Sequence, residues 1–229
     1  MLRAILLDFY GTVVTEDDYT IEIVCEQVRV TATGRPDLTA AEVGAYWRQV
    51  FQEETGRSIA EAFRTQRDIT LSSLARALRR FGSTADPYML CTPQFDLWRQ
   101  PKLCADSRAF LDALDLPVCV VSNIDRADLR TAIDHHQLPL DLLVTSEDAR
   151  CYKPHPAIFQ TATRLLGLPP DAVLHIGDSL TSDVAGAHAL GIPTIWVNRS
   201  GRPRPADLTS IAEVGALTEA LPLLQQARR

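Results

Sequence analysis

The chain has 229 residues, of which 46% are hydrophobic and 23% charged, and its formal net charge is −6. This composition is typical of a soluble globular protein, and the negative charge argues against a general nucleic-acid surface. No apolar run approaches the roughly 20 residues that span a bilayer, and the N-terminus lacks the features of a signal peptide. Five scattered cysteines without a Cys-x-x-Cys pair fit reduced thiols. We therefore expect a cytoplasmic protein with neither a membrane nor a nucleic-acid partner.

The first predicted strand is the apolar run from Ala4 to Leu7, which ends at Asp8. The Gly11-Thr12 pair that follows predicts a tight turn. In open α/β sheets ligands bind outside the carboxyl ends of the strands, so Asp8 is a candidate functional carboxylate. The alternative is an acid that only forms the turn or caps a helix.

Residues 17–100 carry helical periodicity and no convincing strand pattern. We predict a helix over 17–29, a second helix opened by a capping box at Thr39 and Glu42, and a third over 59–81 that ends at Gly82. This stretch is therefore expected to be an all-helical insertion.

From Cys104 onward, predicted helices and short apolar strands alternate. The strands are predicted over 118–121, 142–145, 172–176 and 194–197, and the helices over 107–114, 126–136, 156–166, 182–190 and 214–225. This alternation predicts an α/β fold with a Rossmann-like parallel sheet and helices on both faces. Residues 1–16 and 101–229 would form this core, and 17–100 a helical cap domain.

Polar residues follow the later strands as well. Ser122 and Asn123 end the second strand, and Lys153, one of only two lysines among 23 basic residues, precedes a helix. Asp178 and Asp183 follow the fourth strand, so with Asp8 they would place three carboxylates in one crevice. Mutual repulsion there would be relieved by a cation, and Mg²⁺ suits carboxylate oxygens. The alternatives are a solvated lysine at a helix start and, for Asp183, a helix-start acid.

These motifs, in this order, resemble those of the haloacid dehalogenase superfamily. The resemblance implies that Asp8 is the nucleophile and that Lys153 holds the anion and offsets the charge of Asp8. It also implies three substrate-binding residues and a Mg²⁺ site. The substrate-binding residues would be Thr12, Ser122 and Asn123, and the Mg²⁺ ligands Asp8, the backbone carbonyl of Tyr10, Asp178 and Asp183.

Tyr10 divides the possible functions. Phosphatases of this superfamily usually carry an acid at this position that protonates the leaving group, whereas a tyrosine is a poor base at neutral pH. The Asp-x-Tyr-Gly-Thr motif resembles instead the L-2-haloacid dehalogenases, which release halide without a proton and use no metal. Gly177-Asp178-Ser179 with Asp183 is nevertheless phosphatase-like. Tyr10 is therefore a candidate catalytic residue.

Three functions follow from these motifs. The first expectation is Mg²⁺-dependent hydrolysis of a small phosphorylated metabolite, and the alternatives are a metal-independent L-2-haloacid dehalogenase or a catalytically weak anion-binding homologue. The partner is a small-molecule phosphate ester or 2-haloacid, and the oligomeric state stays open. We interpret His175 as a core histidine, Arg48 as a residue on an exposed helix face, and Asn198-Arg199 as a polar loop.

Overall fold

The computed structural model describes residues 1–204 and 211–228, and six of its strands form one parallel sheet. The strands are β1 Ala4–Leu7, β2 Val118–Ser122, β3 Leu142–Thr145, β4 Val173–Gly177, β5 Thr194–Val197 and β6 Ala212–Val214. Their order is β3-β2-β1-β4-β5-β6, with Leu6 of β1 paired to Cys119 on one side and His175 on the other.

The middle of the sheet is a topological switch point. From β1 the chain order runs outward through β2 and β3 in one direction and through β4 to β6 in the other. Ligands bind at such points in open α/β sheets, because the connecting loops diverge and leave a crevice. The carboxyl ends of β1, β2 and β4 therefore bring the predicted site residues to one place.

Helices cover both faces of the sheet, as the sequence predicts. The core helices are α5 Ser107–Asp112, α6 Arg126–His135, α7 Ser146–Ala149, α8 Pro156–Leu166, α9 Ala185–His188 and α10 Ala220–Ala227. Alternate residues of β1 join different apolar clusters: Ile5 and Leu7 pack in one, and Ala4 and Leu6 in the other. The fold is thus a Rossmann-like α/β sheet packed between two layers of helices.

Four α-helices lie between β1 and α5, namely α1 Asp18–Thr31, α2 Ala40–Arg57, α3 Gln66–Phe81 and α4 Pro87–Arg99. The capping box at Thr39 and Glu42 starts α2, and Gly82, with a φ of 69°, ends α3, both as predicted. No helix of the described residues, in this region or elsewhere, is long and apolar enough to cross a bilayer. We keep 17–100 as the proposed cap.

The prediction of one continuous helix over 59–81 is wrong. A 3₁₀ turn occupies Ala60–Ala62, and Thr65 then caps α3 by accepting the backbone N–H of Asp68. The Ser58 hydroxyl also accepts the backbone N–H of Arg64 at 2.6 Å. These side chains satisfy backbone groups outside a helix, which favours a break that apolar periodicity does not reveal.

Two other predicted helices are corrected. Residues 214–225 do not form one helix, because Ala212–Val214 pairs with β5 as a sixth strand and α10 begins only at Ala220. A three-residue strand is too short to show alternation. The helix predicted over 182–190 is a π-helical turn, Leu180–Val184, followed by the short α9.

Candidate active site

The turn after β1 brings Asp8 close to Asp178. The carbonyl of Phe9 accepts the backbone N–H groups of Val13 at 2.8 Å and Val14 at 3.0 Å, which folds the chain back. Gly11 has a φ of 87°, and a Cβ built on it would lie 2.7 Å from Asp178 Oδ1. Both the backbone conformation and the close approach therefore require glycine here.

Lys153 forms the centre of the site. Its Nζ lies 2.6 Å from Asp8 Oδ1 and 2.6 Å from Asp183 Oδ1, and its side chain is only 3% exposed. Burial alone would lower the pKa of Lys153, but the charges of Asp183 and Asp8 outweigh it and the pKa is raised. The alternative of a solvated lysine at a helix start is wrong, and Lys153 is a buried ammonium bridging two carboxylates.

Two of the predicted substrate-binding residues form hydrogen bonds to Lys153 and Asp8. The Asn123 side chain accepts the backbone N–H of Lys153 at 2.7 Å and donates to its carbonyl at 3.1 Å. The Thr12 hydroxyl donates to Asp8 Oδ2 at 3.1 Å. Ser122 is buried at the end of β2. Asn123 and Thr12 thus orient Lys153 and Asp8.

Asp183 is surrounded by hydrogen-bond donors. Its Oδ1 contacts His175 Nε2 at 2.9 Å as well as Lys153, and its Oδ2 accepts the backbone N–H of Ser179 at 3.0 Å. Burial would raise the pKa of Asp183, but Lys153 and His175 outweigh it and hold the pKa below its usual range. His175 is a satisfied core histidine, as predicted, with Nδ1 on the carbonyl of Leu6. The apolar pattern of β4 did not indicate that its other partner is Asp183.

Asp178 has the opposite electrostatic environment. Burial, followed by the charges of Asp8, Asp183 and Glu16, raises the pKa of Asp178 to about 8. Glu16 also has a raised pKa, first because of its own burial. Sequence motifs did not indicate Glu16, because it lies outside the turn that carries Asp8.

The end of β5 and the loop that follows it support the same region. Arg202 Nη2 and Trp196 Nε1 donate to the carbonyl of Asp178 at 2.6 and 2.8 Å, and Arg202 Nη2 lies 3.5 Å from Asp178 Oδ2. Arg199 donates to the carbonyl of Thr12 at 2.8 Å. The loop interpreted as merely polar therefore braces two of the site's turns. In the sequence, the signal for this loop was its position directly after the last predicted strand.

A divalent cation fits part of the predicted ligand set. Carboxylate oxygens of Asp8, Asp178 and Asp183 lie within 4.8 Å of one another, and oxygen donors are what Mg²⁺ prefers. Asp183 accepts three hydrogen bonds, from Lys153, His175 and the backbone N–H of Ser179, whereas each oxygen of Asp8 accepts only one. Of the two, Asp183 is therefore more suited to orienting its neighbours than to direct ligation. The donors that fit an ion best are Asp8 and Asp178.

Tyr10 directs its hydroxyl toward the proposed cap. The hydroxyl donates to the carbonyl of Trp98 in α4 at 2.5 Å. Burial, assisted by the charges of Asp128 and Asp17, raises the pKa of Tyr10 above its ordinary value. This hydroxyl therefore stays protonated near neutral pH and donates to Trp98.

Two cavities lie between the inserted helices and the sheet. The first, of about 670 Å³, is lined in part by Lys153 and Asn123, and the second, of about 520 Å³, by residues of α1, α2, α3 and α4. Arg48, Phe51 and Gln66 line both. Arg48 is exposed on α2, as interpreted from the sequence, and it also lines both cavities. It forms no ion pair within the described part of the chain.

Comparison with known proteins identifies the family of this chain. Residues 2–191 match the family model for haloacid dehalogenase-like hydrolases. The (S)-2-haloacid dehalogenase of Pseudomonas fluorescens is 25% identical over 210 residues, covering 86% of this chain and 85% of that protein. The N-acylneuraminate-9-phosphatase of Mus musculus is 28% identical over 171 residues, covering 67% of this chain and 69% of that protein.

Solved structures share the fold. The L-2-haloacid dehalogenase of Xanthobacter autotrophicus aligns with a TM-score of 0.75 at 20% identity, covering 99% of both chains. A magnesium-bound hydrolase of Bacillus subtilis aligns with a TM-score of 0.69 at 21% identity, covering 97% of this chain and 98% of that one. Because the family model matches residues 2–191, this chain belongs to the haloacid dehalogenase-like hydrolases.

Proposed function

We propose that this hydrolase releases halide from a small 2-haloacid, with Asp8 as the nucleophile and without a metal. The observation that carries the proposal is the hydrogen bond from the Tyr10 hydroxyl to Trp98, which removes position 10 from proton transfer. A phosphate ester with a poor leaving group needs a proton donor, and its loss costs about 10²–10⁴ in rate. A halide leaves without one.

The reaction has two displacements. A carboxylate oxygen of Asp8 forms a bond to C2 of the substrate, and the carbon–halogen bond breaks with its electron pair on the halide. Water then adds to the ester carbonyl at Asp8 Cγ, which releases the 2-hydroxy acid and restores the carboxylate. The proton from water is released to solvent, so each turnover yields one halide and one proton.

The charges of the site support this substrate class. Lys153 sits 2.6 Å from Asp8 and offsets the charge that the nucleophile brings close to an anionic substrate. Arg48 supplies a guanidinium with no ion-pair partner in the described ranges to the cavity that Lys153 lines. Guanidinium groups bind carboxylates well, so we assign Arg48 to the substrate carboxylate.

The test is halide release from (S)-2-chloropropionate in the presence and absence of a chelator. We expect turnover that the chelator does not change, loss of turnover in Asp8→Asn, and retained turnover in Asp141→Asn, an exposed acid that serves as the matched control. No halide release above background would refute the proposal.

A second candidate is Mg²⁺-dependent hydrolysis of a phosphate ester, and Asp178 is the observation that favours it. This carboxyl has a pKa raised to about 8 beside Asp8, which is the environment that a bound cation would relieve. Asp8 and Asp178 would hold the ion, which would neutralise phosphate charge. Lys153 and Ser122 would bind the phosphate oxygens.

One experiment distinguishes the two candidate functions. Hydrolysis of a panel of phosphate esters that requires Mg²⁺ and is abolished in Asp178→Asn, with no halide release, would replace the first proposal by the second. Binding of phosphate without turnover of either substrate class would instead identify a catalytically weak anion-binding homologue.

A further inference from the structure

The second cavity contains an unusual concentration of hydrogen-bond acceptors. Only two buried side-chain oxygens in the described ranges lack a hydrogen-bond partner, Thr70 Oγ1 and Gln94 Oε1. Both residues line this cavity, and they are 2% and 4% exposed. A buried polar atom without a partner costs about 1–3 kcal/mol, so two in one cavity wall point to a missing donor.

The orientation of Gln94 is fixed by its other hydrogen bond. Its Nε2 donates to Asp17 Oδ2 at 2.7 Å, which leaves Oε1 as the acceptor without a partner. Asp17 Oδ2 also accepts Trp98 Nε1 at 2.6 Å. Asp17, Gln94 and Thr70 therefore line one cavity, and each offers an oxygen that can accept a hydrogen bond, the Thr70 hydroxyl being able to donate as well.

The charge of the cavity favours a cation. Three carboxylates line it, from Glu16, Asp17 and Asp18, against two guanidinium groups, from Arg48 and Arg202. The Arg202 guanidinium is already hydrogen bonded to the carbonyl of Asp178. Of the three carboxylates, Asp17 is the one bonded to Gln94.

The rest of the wall is aromatic. Trp47 and Trp98 line the cavity, and both indole N–H groups are used, on Ser73 Oγ at 2.9 Å and on Asp17. The two rings thus offer apolar surface, which suits the methylene groups next to a cationic centre.

We propose that this second cavity binds a primary ammonium group carried on a short alkyl chain. An ammonium has three N–H donors and no acceptor, so it matches a wall that contains acceptors and excess negative charge. The inference concerns binding alone and does not depend on the reaction proposed for Asp8, because it is measured without turnover.

The test uses n-butylammonium as the probe and calorimetric titration of the full chain. We expect saturable binding of n-butylammonium and none of N,N,N-trimethylbutylammonium, which carries the same charge without an N–H donor. Failure of n-butylammonium to bind, or equal binding of the two cations, would overturn the proposal.

Variants test whether n-butylammonium binds at this wall. Thr70→Val keeps the side-chain shape and removes the unpartnered hydroxyl, so affinity should fall about tenfold, the size of one hydrogen bond to a charged group. Gln94→Met should weaken binding at least as much. Thr92→Val, on the same helix as Gln94 and with its hydroxyl on the carbonyl of Tyr88, is the matched control and should bind normally. Unchanged affinity in both Thr70→Val and Gln94→Met would overturn the proposed site.

Discussion

The Tyr10 hydroxyl donates a 2.5 Å hydrogen bond to the backbone carbonyl of Trp98, linking the nucleophile turn to α4. Trp98 in turn donates to Asp17, the residue preceding α1. The residue that occupies the usual acid position of the phosphatases thus connects the core to the inserted helices.

Tyr10→Phe tests this structural role. Loss of the hydroxyl leaves the Trp98 carbonyl without this donor, so we expect a loss of about 1–3 kcal/mol in urea unfolding and no change in kcat for halide release. Tyr152→Phe is the matched control, since Tyr152 donates to the carbonyl of Arg64 at 3.0 Å in another contact with the insertion. A fall in kcat of about 10²-fold in Tyr10→Phe alone would instead make Tyr10 a proton donor.

Lys153→Met tests the central ammonium. Its removal leaves Asp8 and Asp183 as buried carboxylates without their shared partner, so unfolding free energy should fall by about 3–5 kcal/mol and turnover should be lost. Lys102→Met changes the only other lysine, which is exposed, and should change neither quantity. Equal stability of the two variants would contradict a charged Lys153.

Asp178→Asn tests the carboxyl whose pKa is raised. Its pKa is about 8 in the folded chain and about 3.9 when unfolded, so the folded protein holds this proton more tightly. Stability of the metal-free protein should therefore fall as pH rises from about 4 to about 8, and Asp178→Asn should reduce that slope.

The control and the metal dependence complete this experiment. Asp171→Asn, which removes an exposed acid, should keep the wild-type slope. If Mg²⁺ binds Asp178, adding it should stabilise the wild type most at the upper end of this range and should not stabilise Asp178→Asn. A wild-type slope retained in Asp178→Asn would show that another group holds the proton.

Asp125→Ala tests the contact between core and insertion at α3. Asp125 accepts the backbone N–H groups of Gln66 at 2.7 Å and Arg67 at 3.1 Å, and so caps α3 from the core. We expect a loss of about 0.5–2 kcal/mol and faster amide hydrogen exchange at the start of α3. Asp134→Ala, an exposed acid of α6, is the control; similar exchange in both variants would argue against the cap.

The sequence by itself determined the sheet and its reactive edge. Apolar runs that stop at Asp8, Ser122 and Gly177-Asp178 predict buried parallel strands, and the rule that such strands share one carboxyl edge brings these residues together. Local signals also placed the capping box of α2 and the end of α3 at Gly82 correctly. These features depend on residues near one another in the chain.

Only the tertiary structure decided which groups face one another. Asn123 and Lys153 are 30 residues apart, and Asp8 and Lys153 are 145 apart, so no local pattern indicates that they bond. The direction of the Tyr10 hydroxyl depends equally on a helix 88 residues away. The chemistry of a side chain limits the reactions that it can take part in, but burial and long-range partners set its charge and orientation. Burial and long-range partners exist only once the chain has folded.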